Sequence, residues 1–233
     1  RTTWARLMGH PREPLNQGTA DQIVRDCETL ASQEPSVDRA FPHEWDRRLA
    51  YAVSMIGSPP VLTTATTALT AARLASPGVW QWAASYVSLA VVAPMVYILW
   101  QVRQGRLSDL DVQLREQRAR PLVLSVVCGG LAWLLLALGP APTKMVVLAG
   151  GLWLQLVIVL GVTLRWKISM HSAAAASAAT VAWSLLGTPL PLLIGVPLIA
   201  WSRVRLQRHT FGQTAAGALL GFSVFAAALW VAC

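Results

Sequence analysis

The sequence predicts an all-α polytopic membrane protein, a bundle of about seven transmembrane helices behind a polar N-terminal arm. Three observations carry that expectation. Of 233 residues 55% are hydrophobic and only 13% charged, against about 25% charged in soluble domains. Mean hydropathy is +0.49. Eight of the eleven acids (Glu13, Asp21, Asp26, Glu28, Glu34, Asp38, Glu44, Asp46) precede residue 47, so the net +8 belongs to the apolar remainder. A pI near 10.4 would suggest nucleic acid in a soluble chain. Here the basic residues sit in short loops between apolar runs, which points instead to membrane orientation and to anionic lipid or phosphate, with no nucleic-acid partner.

Residues 1–48 form the arm, where Pro11, Pro14, Pro35 and Pro42 interrupt any long helix. Ile23, Cys27 and Leu30 recur at helical spacing, which predicts one short amphipathic helix over Thr19–Ser32. Arg1–Gly18 lacks the apolar core of a signal peptide, so targeting is expected to rely on the first span. Cys27, Cys128 and Cys233 are far apart and form no CxxC pattern, and Cys128 is expected to pack within a helix.

From residue 49 to 233 the chain reads as the transmembrane domain, because uncharged runs approach the roughly 20 residues that cross a bilayer. Spans are expected at 50–72, 79–101, 121–139, 144–164, 171–187, 189–203 and 210–232. The first contains Gly57-Ser58-Pro59-Pro60, and Gly187-Thr188-Pro189-Leu190-Pro191 divides the fifth from the sixth. The run Ser172–Ala179 is almost all alanine, which lets neighbouring backbones approach and predicts a helix at the bundle centre.

Seven spans place the arm and the loops near 102–120, 165–170 and 203–209 on one side. Those loops hold Arg103, Arg106, Arg115, Arg118, Arg120, Arg165, Lys167, Arg203, Arg205 and Arg208, against only Arg73 and Lys144 opposite. The positive-inside rule then assigns the N-terminus and these loops to the cytoplasm and Cys233 to the outside of a bacterial-type cell membrane.

Three arginines and a histidine lie in Ser202–Gln213 between apolar runs, where a charge is costly unless an anion pairs with it. Two of the four histidines, His171 and His209, each begin a span within a basic cluster. The helix dipole disfavours the imidazolium there, and neutral imidazole is what a nucleophile or general base requires.

The spacing Ser202-Arg203, five residues, His209, three residues, Gln213 resembles the third signature of the type 2 phosphatidic acid phosphatase superfamily, SRxxxxxHxxxD. Ile168-Ser169-Met170-His171 resembles its second signature, PSGH, in serine and histidine. The resemblance covers roughly residues 80–232 and implies a six-helix phosphatase-like core plus one N-terminal span. It implies that His209 attacks phosphorus to form a phosphohistidine and that His171 protonates the leaving alkoxide. It implies that Arg203 and Ser169 bind phosphoryl oxygens, and that no metal cofactor is needed. Gln213 stands where the family has the aspartate that orients the nucleophile. Of the first signature, KxxxxxxRP, only Arg120-Pro121 remains, with Gln113 at the lysine position and the pair two spans early. Lys167 and Arg165 are expected to stand in for it, beside Arg115, Arg118 and Arg120 as further phosphate ligands.

Asp109 and Asp111 are two of the three acids after residue 46. They suit loop salt bridges or, alternatively, Mg²⁺ coordination to a diphosphate. Three readings follow. The first is a lipid-phosphate or prenyl-(di)phosphate phosphatase. The second is a Mg²⁺-dependent prenyl-diphosphate transferase or cyclase on the same scaffold. The third is a non-catalytic lipid-phosphate binder or transporter.

Overall fold

A computed structural model describes residues 22, 44–74, 76–107 and 115–232. The expected helix at Thr19–Ser32, apart from a helical Gln22, lies outside the described residues, as do Asp109, Asp111 and the side chains of Arg115 and Arg118. The chain divides after Glu44. Among the described residues every regular element is helical: α1 (Glu44–Ile56), α2 (Pro59–Arg73), α3 (Val79–Arg103), α4 (Arg115–Leu138), α5 (Thr143–Thr163), α6 (Met170–Leu186), α7 (Val196–Arg205) and α8 (Phe211–Ala232).

Among the described residues four helices are long and apolar enough to cross a membrane: Val79–Arg103, Ala119–Leu138, Thr143–Thr163 and Phe211–Trp230. They coincide with four of the expected spans, and the protein is an integral membrane protein on that ground. The expected span at 50–72 is not one helix. Ser58 precedes a proline and adopts an extended conformation (φ −69°, ψ 146°), and Pro59 and Pro60 open a new helix, α2. The clash between a proline ring and the preceding residue disfavours helical geometry at Ser58, and Pro59 has no N–H to continue the α1 ladder. Helix α1 (Glu44–Ile56) runs across the expected boundary between the arm and the transmembrane domain.

Prolines shape two other helices without ending them. The π turns Ser88–Val92 and Pro191–Gly195 lie just before Pro94 and Pro197. A proline inside a helix removes one N–H and crowds the carbonyl four residues back, and a widened turn relieves both.

Two buried apolar clusters hold the bundle, one in each half. The larger joins the last turn of α2 (Ala71), the start of α3 (Val79, Ala83, Tyr86), the end of α4 (Ala132, Leu136), the start of α5 (Met145, Leu148), Val181 and Phe225. Here α4 and α5 are antiparallel, and Trp133 and Trp153 stack at 5.1 Å, each lying over a glycine of the opposite helix, Gly150 and Gly130. The smaller cluster packs Leu122, Val159 and Ile168 with Met170, Ala216 and Leu220. It brings the start of α4, the 164–169 turn and the first turns of α6 and α8 to one end of the bundle.

Helix α6 is central, as its alanines predict: residues His171–Ser177 are all buried. Its tightest neighbour is α8. A Cβ on Gly217 would lie 2.3 Å from Ser169 O, and one on Gly221 only 2.1 Å from Ala173 O. Advancing four residues on α8 advances four on α6, so the two helices run parallel, and Gly217-xxx-Gly221 is the small-residue seam between them. Ser177 adds a polar tie, its single hydroxyl proton shared between Gln155 Oε1 of α5 and Ala173 O.

Candidate functional site

The parallel pairing of α6 and α8 sets two helix N-termini side by side. Ser169 is the N-cap of α6, and its Oγ accepts from Ser172 N at 3.3 Å and from Ser172 Oγ at 3.1 Å. Thr210 holds the same place before α8. Its Oγ1 accepts from Gln213 N at 3.4 Å, while Gln213 Oε1 accepts from Thr210 N at 3.2 Å. That is a reciprocal capping box, which satisfies two backbone donors that a helix start leaves open. The two caps are joined directly, Ser169 N donating to Gln213 O at 3.2 Å.

The turn from α7 into α8 has an equally local cause. Arg208 N donates to Arg203 O at 3.0 Å and Gln207 N to Val204 O at 2.9 Å, with Gln207 in the left-handed region at φ 54°. These are the two bonds of a Schellman closure, which usually has glycine at the left-handed position. His209 N also donates to Arg203 O, at 3.3 Å. The five residues between Arg203 and His209 are therefore the length of one helix closure, which folds the histidine back over the arginine's own carbonyl.

Gln213 does more than cap. Its Oε1 lies 3.1 Å from His209 Nδ1. The backbone N–H of Thr210 can only donate, which identifies the facing amide atom as oxygen, and an amide oxygen can only accept. Nδ1 of His209 is therefore the protonated nitrogen, and the lone pair of the neutral ring is on Nε2.

Four polar side chains of this corner are sequestered: Ser169 is 0% exposed, Arg203 2%, His209 7% and His171 8%. Lys167 is half-buried two residues before Ser169, and Arg165 is exposed in the same turn. Ser169, Gln213, His209 and Arg203 form one hydrogen-bonded chain, and His171 follows Ser169 by two residues. Such a corner joins two N-terminal dipole ends to nearby cations, an arrangement suited to an anion.

The structure separates Arg120 from this group. Leu122 packs with Ile168, and Arg120, two positions earlier on the helix and so about 200° around it, lines a groove with Tyr97 of α3. Among the described residues no group of three or more His, Cys, Asp or Glu could hold a metal ion.

Two partners come from α1, which sequence reasoning divides between the arm, with Asp46, and the first expected span, with Ser54. Ser54 Oγ accepts from Arg203 Nη1 at 2.7 Å, and Asp46 Oδ2 accepts from Arg205 Nε at 2.8 Å. Beside them a Cβ on Gly57 would meet Ile199 Cδ1 of α7 at 2.6 Å. Helix α1 thus turns a polar side to the two arginines, while Trp45, Leu49, Met55 and Ile56 are exposed. No local signal marks Asp46 and Ser54 as partners of residues about 150 positions away. Thr210, by contrast, is visible in the sequence as the first residue of a Thr-x-x-Gln capping pattern.

Comparison with known proteins gives no match: no family model covers the chain, and no curated protein or solved structure is significantly similar to it.

Proposed function

We propose that the protein is a membrane phosphatase acting on a lipid phosphate or prenyl (di)phosphate through a phosphohistidine on His209. The observation that carries this reading is the joined pair of capped helix starts, Ser169 to Gln213, with His209 held by Gln213 so that Nε2 keeps its lone pair. That lone pair attacks the terminal phosphorus, and the bond from phosphorus to the leaving oxygen breaks, the lipid oxygen of a monoester or the bridging oxygen of a diphosphate; His171, protonated in this step, gives the leaving oxygen its proton and is left neutral. Water then attacks the phosphohistidine, giving its proton to His171 and releasing inorganic phosphate. Arg203, Ser169 and Lys167 meet the phosphoryl oxygens, where fixed donors lower the barrier most.

The same reading counts seven crossings. Besides the four long spans, α2, the 17-residue α6 and the segment through α7 cross as shorter helices inside the bundle. At 1.5 Å per residue α6 extends about 26 Å, near the thickness of the hydrocarbon layer. The basic loops then face the cytoplasm. Cysteines placed at Gln104 and Lys144 in a protein lacking its native cysteines should label from opposite sides of a sealed vesicle; labelling from one side overturns the crossing pattern.

The activity is tested by incubating purified protein with phosphatidic acid and with a prenyl diphosphate, with and without EDTA. Inorganic phosphate released in EDTA and lost in His209→Ala is the expected result. Pyrophosphate released only with Mg²⁺ and lost in Asp109→Asn would instead favour prenyl transfer or cyclisation, and saturable binding without turnover a binder or transporter.

A further inference from the structure

The groove that holds Arg120 has a polarity of its own. Its walls are Tyr97 of α3 and Ala119, Arg120, Val123, Leu124 and Val127 of α4, around a volume of about 440 Å³, within the usual range for a small-ligand site. The α4 positions recur at helical spacing and so form one face. From Arg120 to Val127 that face descends about 10 Å, away from the loop side and into an apolar span. Among the described lining residues the one formal charge, Arg120, is at the loop end. Deeper along the same helix, Leu131, Leu134 and Leu135 are exposed and continue the apolar track.

The loop end carries the marks of a membrane interface. Arg106 lies over the Trp100 ring with its guanidinium carbon 5.6 Å from the centroid, and Trp100 lies 6.3 Å from Tyr97. Exposed tryptophan with a stacked arginine is typical of the headgroup level. Tyr97 is held by Gln101, whose Nε2 donates to the phenol oxygen at 3.0 Å. As the acceptor of that bond, the phenol keeps its own proton to donate. Gln101 is itself 7% exposed, and its Oε1 has no hydrogen-bond partner among the described residues. The groove therefore offers a cation and a phenolic donor at the headgroup level and hydrocarbon below.

We infer that this groove binds one anionic membrane glycerophospholipid, with the phosphodiester on Arg120, a headgroup or ester oxygen on the Tyr97 hydroxyl, and an acyl chain along Val123 and Val127. The site is distinct from the His209 corner, because Arg120 and Leu122 project from opposite sides of α4 and Leu122 is the one that packs toward Ile168. It does not depend on the proposed hydrolysis.

The test uses detergent-purified full-length chain mixed with equal amounts of phosphatidylglycerol and phosphatidylcholine of identical chains, with bound lipid read by native mass spectrometry. Wild-type protein should retain one phosphatidylglycerol in preference, and Arg120→Gln should cut that preference about fivefold, the factor expected for one cation at a headgroup. Val127→Trp, which fills the groove, should lower retention of both lipids, while His209→Ala should leave both unchanged. An undiminished preference in Arg120→Gln, or undiminished retention in Val127→Trp, would overturn the assignment. A loss in His209→Ala would move the lipid to the other site.

Discussion

Replacing Gly217 by alanine tests the contact on which both the fold and the candidate site depend. The added Cβ would lie 2.3 Å from Ser169 O, whereas ordinary contact begins near 3.4 Å, so α6 and α8 must part by about 1.1 Å at this level. The obstacle is backbone and cannot rotate away, and Ser169 O already accepts from Ala173 N at 3.1 Å. Overpacking of this kind costs about 1–3 kcal/mol, while alanine regains up to about 1 kcal/mol of helix propensity over glycine. With the clash at the upper end, the net loss is about 2 kcal/mol. Unfolding in mixed micelles by titration with SDS measures it, with Gly212→Ala as control, since no atom lies within 4 Å of a Cβ there. The control should be neutral or slightly stabilising. Phosphate release gives a second readout: the 1 Å shift carries His209 and Gln213 away from Ser169 and His171, and misplacement on that scale costs about 10²-fold in rate. A Gly217→Ala protein as stable as wild type would refute the close-packed seam, whatever the activity.

Gln213→Asp keeps an acceptor for His209 Nδ1 and Thr210 N and adds the charge that stabilises imidazolium, so phosphate release should rise. Because Thr210 N already pins the amide oxygen toward the ring, the tautomer is correct in the native protein. The gain should therefore be smaller than the roughly 10⁴ associated with a misoriented triad amide; no change or a loss would count against an orienting role. Gln207→Gly relieves a left-handed residue at φ 54° and should stabilise the protein by up to about 1 kcal/mol in the same SDS titration, provided the Schellman closure is the native turn. Asp46→Asn removes the charge of the pair with Arg205 but keeps an oxygen that can accept from Nε; the Arg205 and Asp46 side chains are 24% and 16% exposed. The stability cost should stay below about 1 kcal/mol in the same SDS titration; a larger loss would show that the pair is more than a partly exposed tie.

Much of the candidate site was legible from residues close in sequence, because its geometry is made by short-range hydrogen bonds. The five-residue interval from Arg203 to His209 is one Schellman closure, and Thr210 to Gln213 is one capping box. The expected span begins at His171, within two residues of the Ser169 cap. The same locality explains why the expected span at 50–72 fell into two: the Ser58-Pro59 step, present in the sequence, ends α1 through its own sterics rather than through packing.

What the sequence by itself determined is the membrane class, the helical character of the chain with four of its seven expected spans long and apolar enough to cross, a central small-residue helix, and two histidines near helix starts beside cations. Each follows from composition or from the 3.6-residue period, which acts within one segment. The tertiary structure alone decided which faces meet. Gly217 and Gly221 bring α8 onto α6 and join Ser169 to Gln213; Asp46 and Ser54 reach Arg205 and Arg203 across 159 and 149 residues. Arg120, two residues from a side chain packed toward the site, opens instead onto a separate groove. The physical reason is that a helix presents every direction around its axis, and only close packing with its neighbours selects which residues converge.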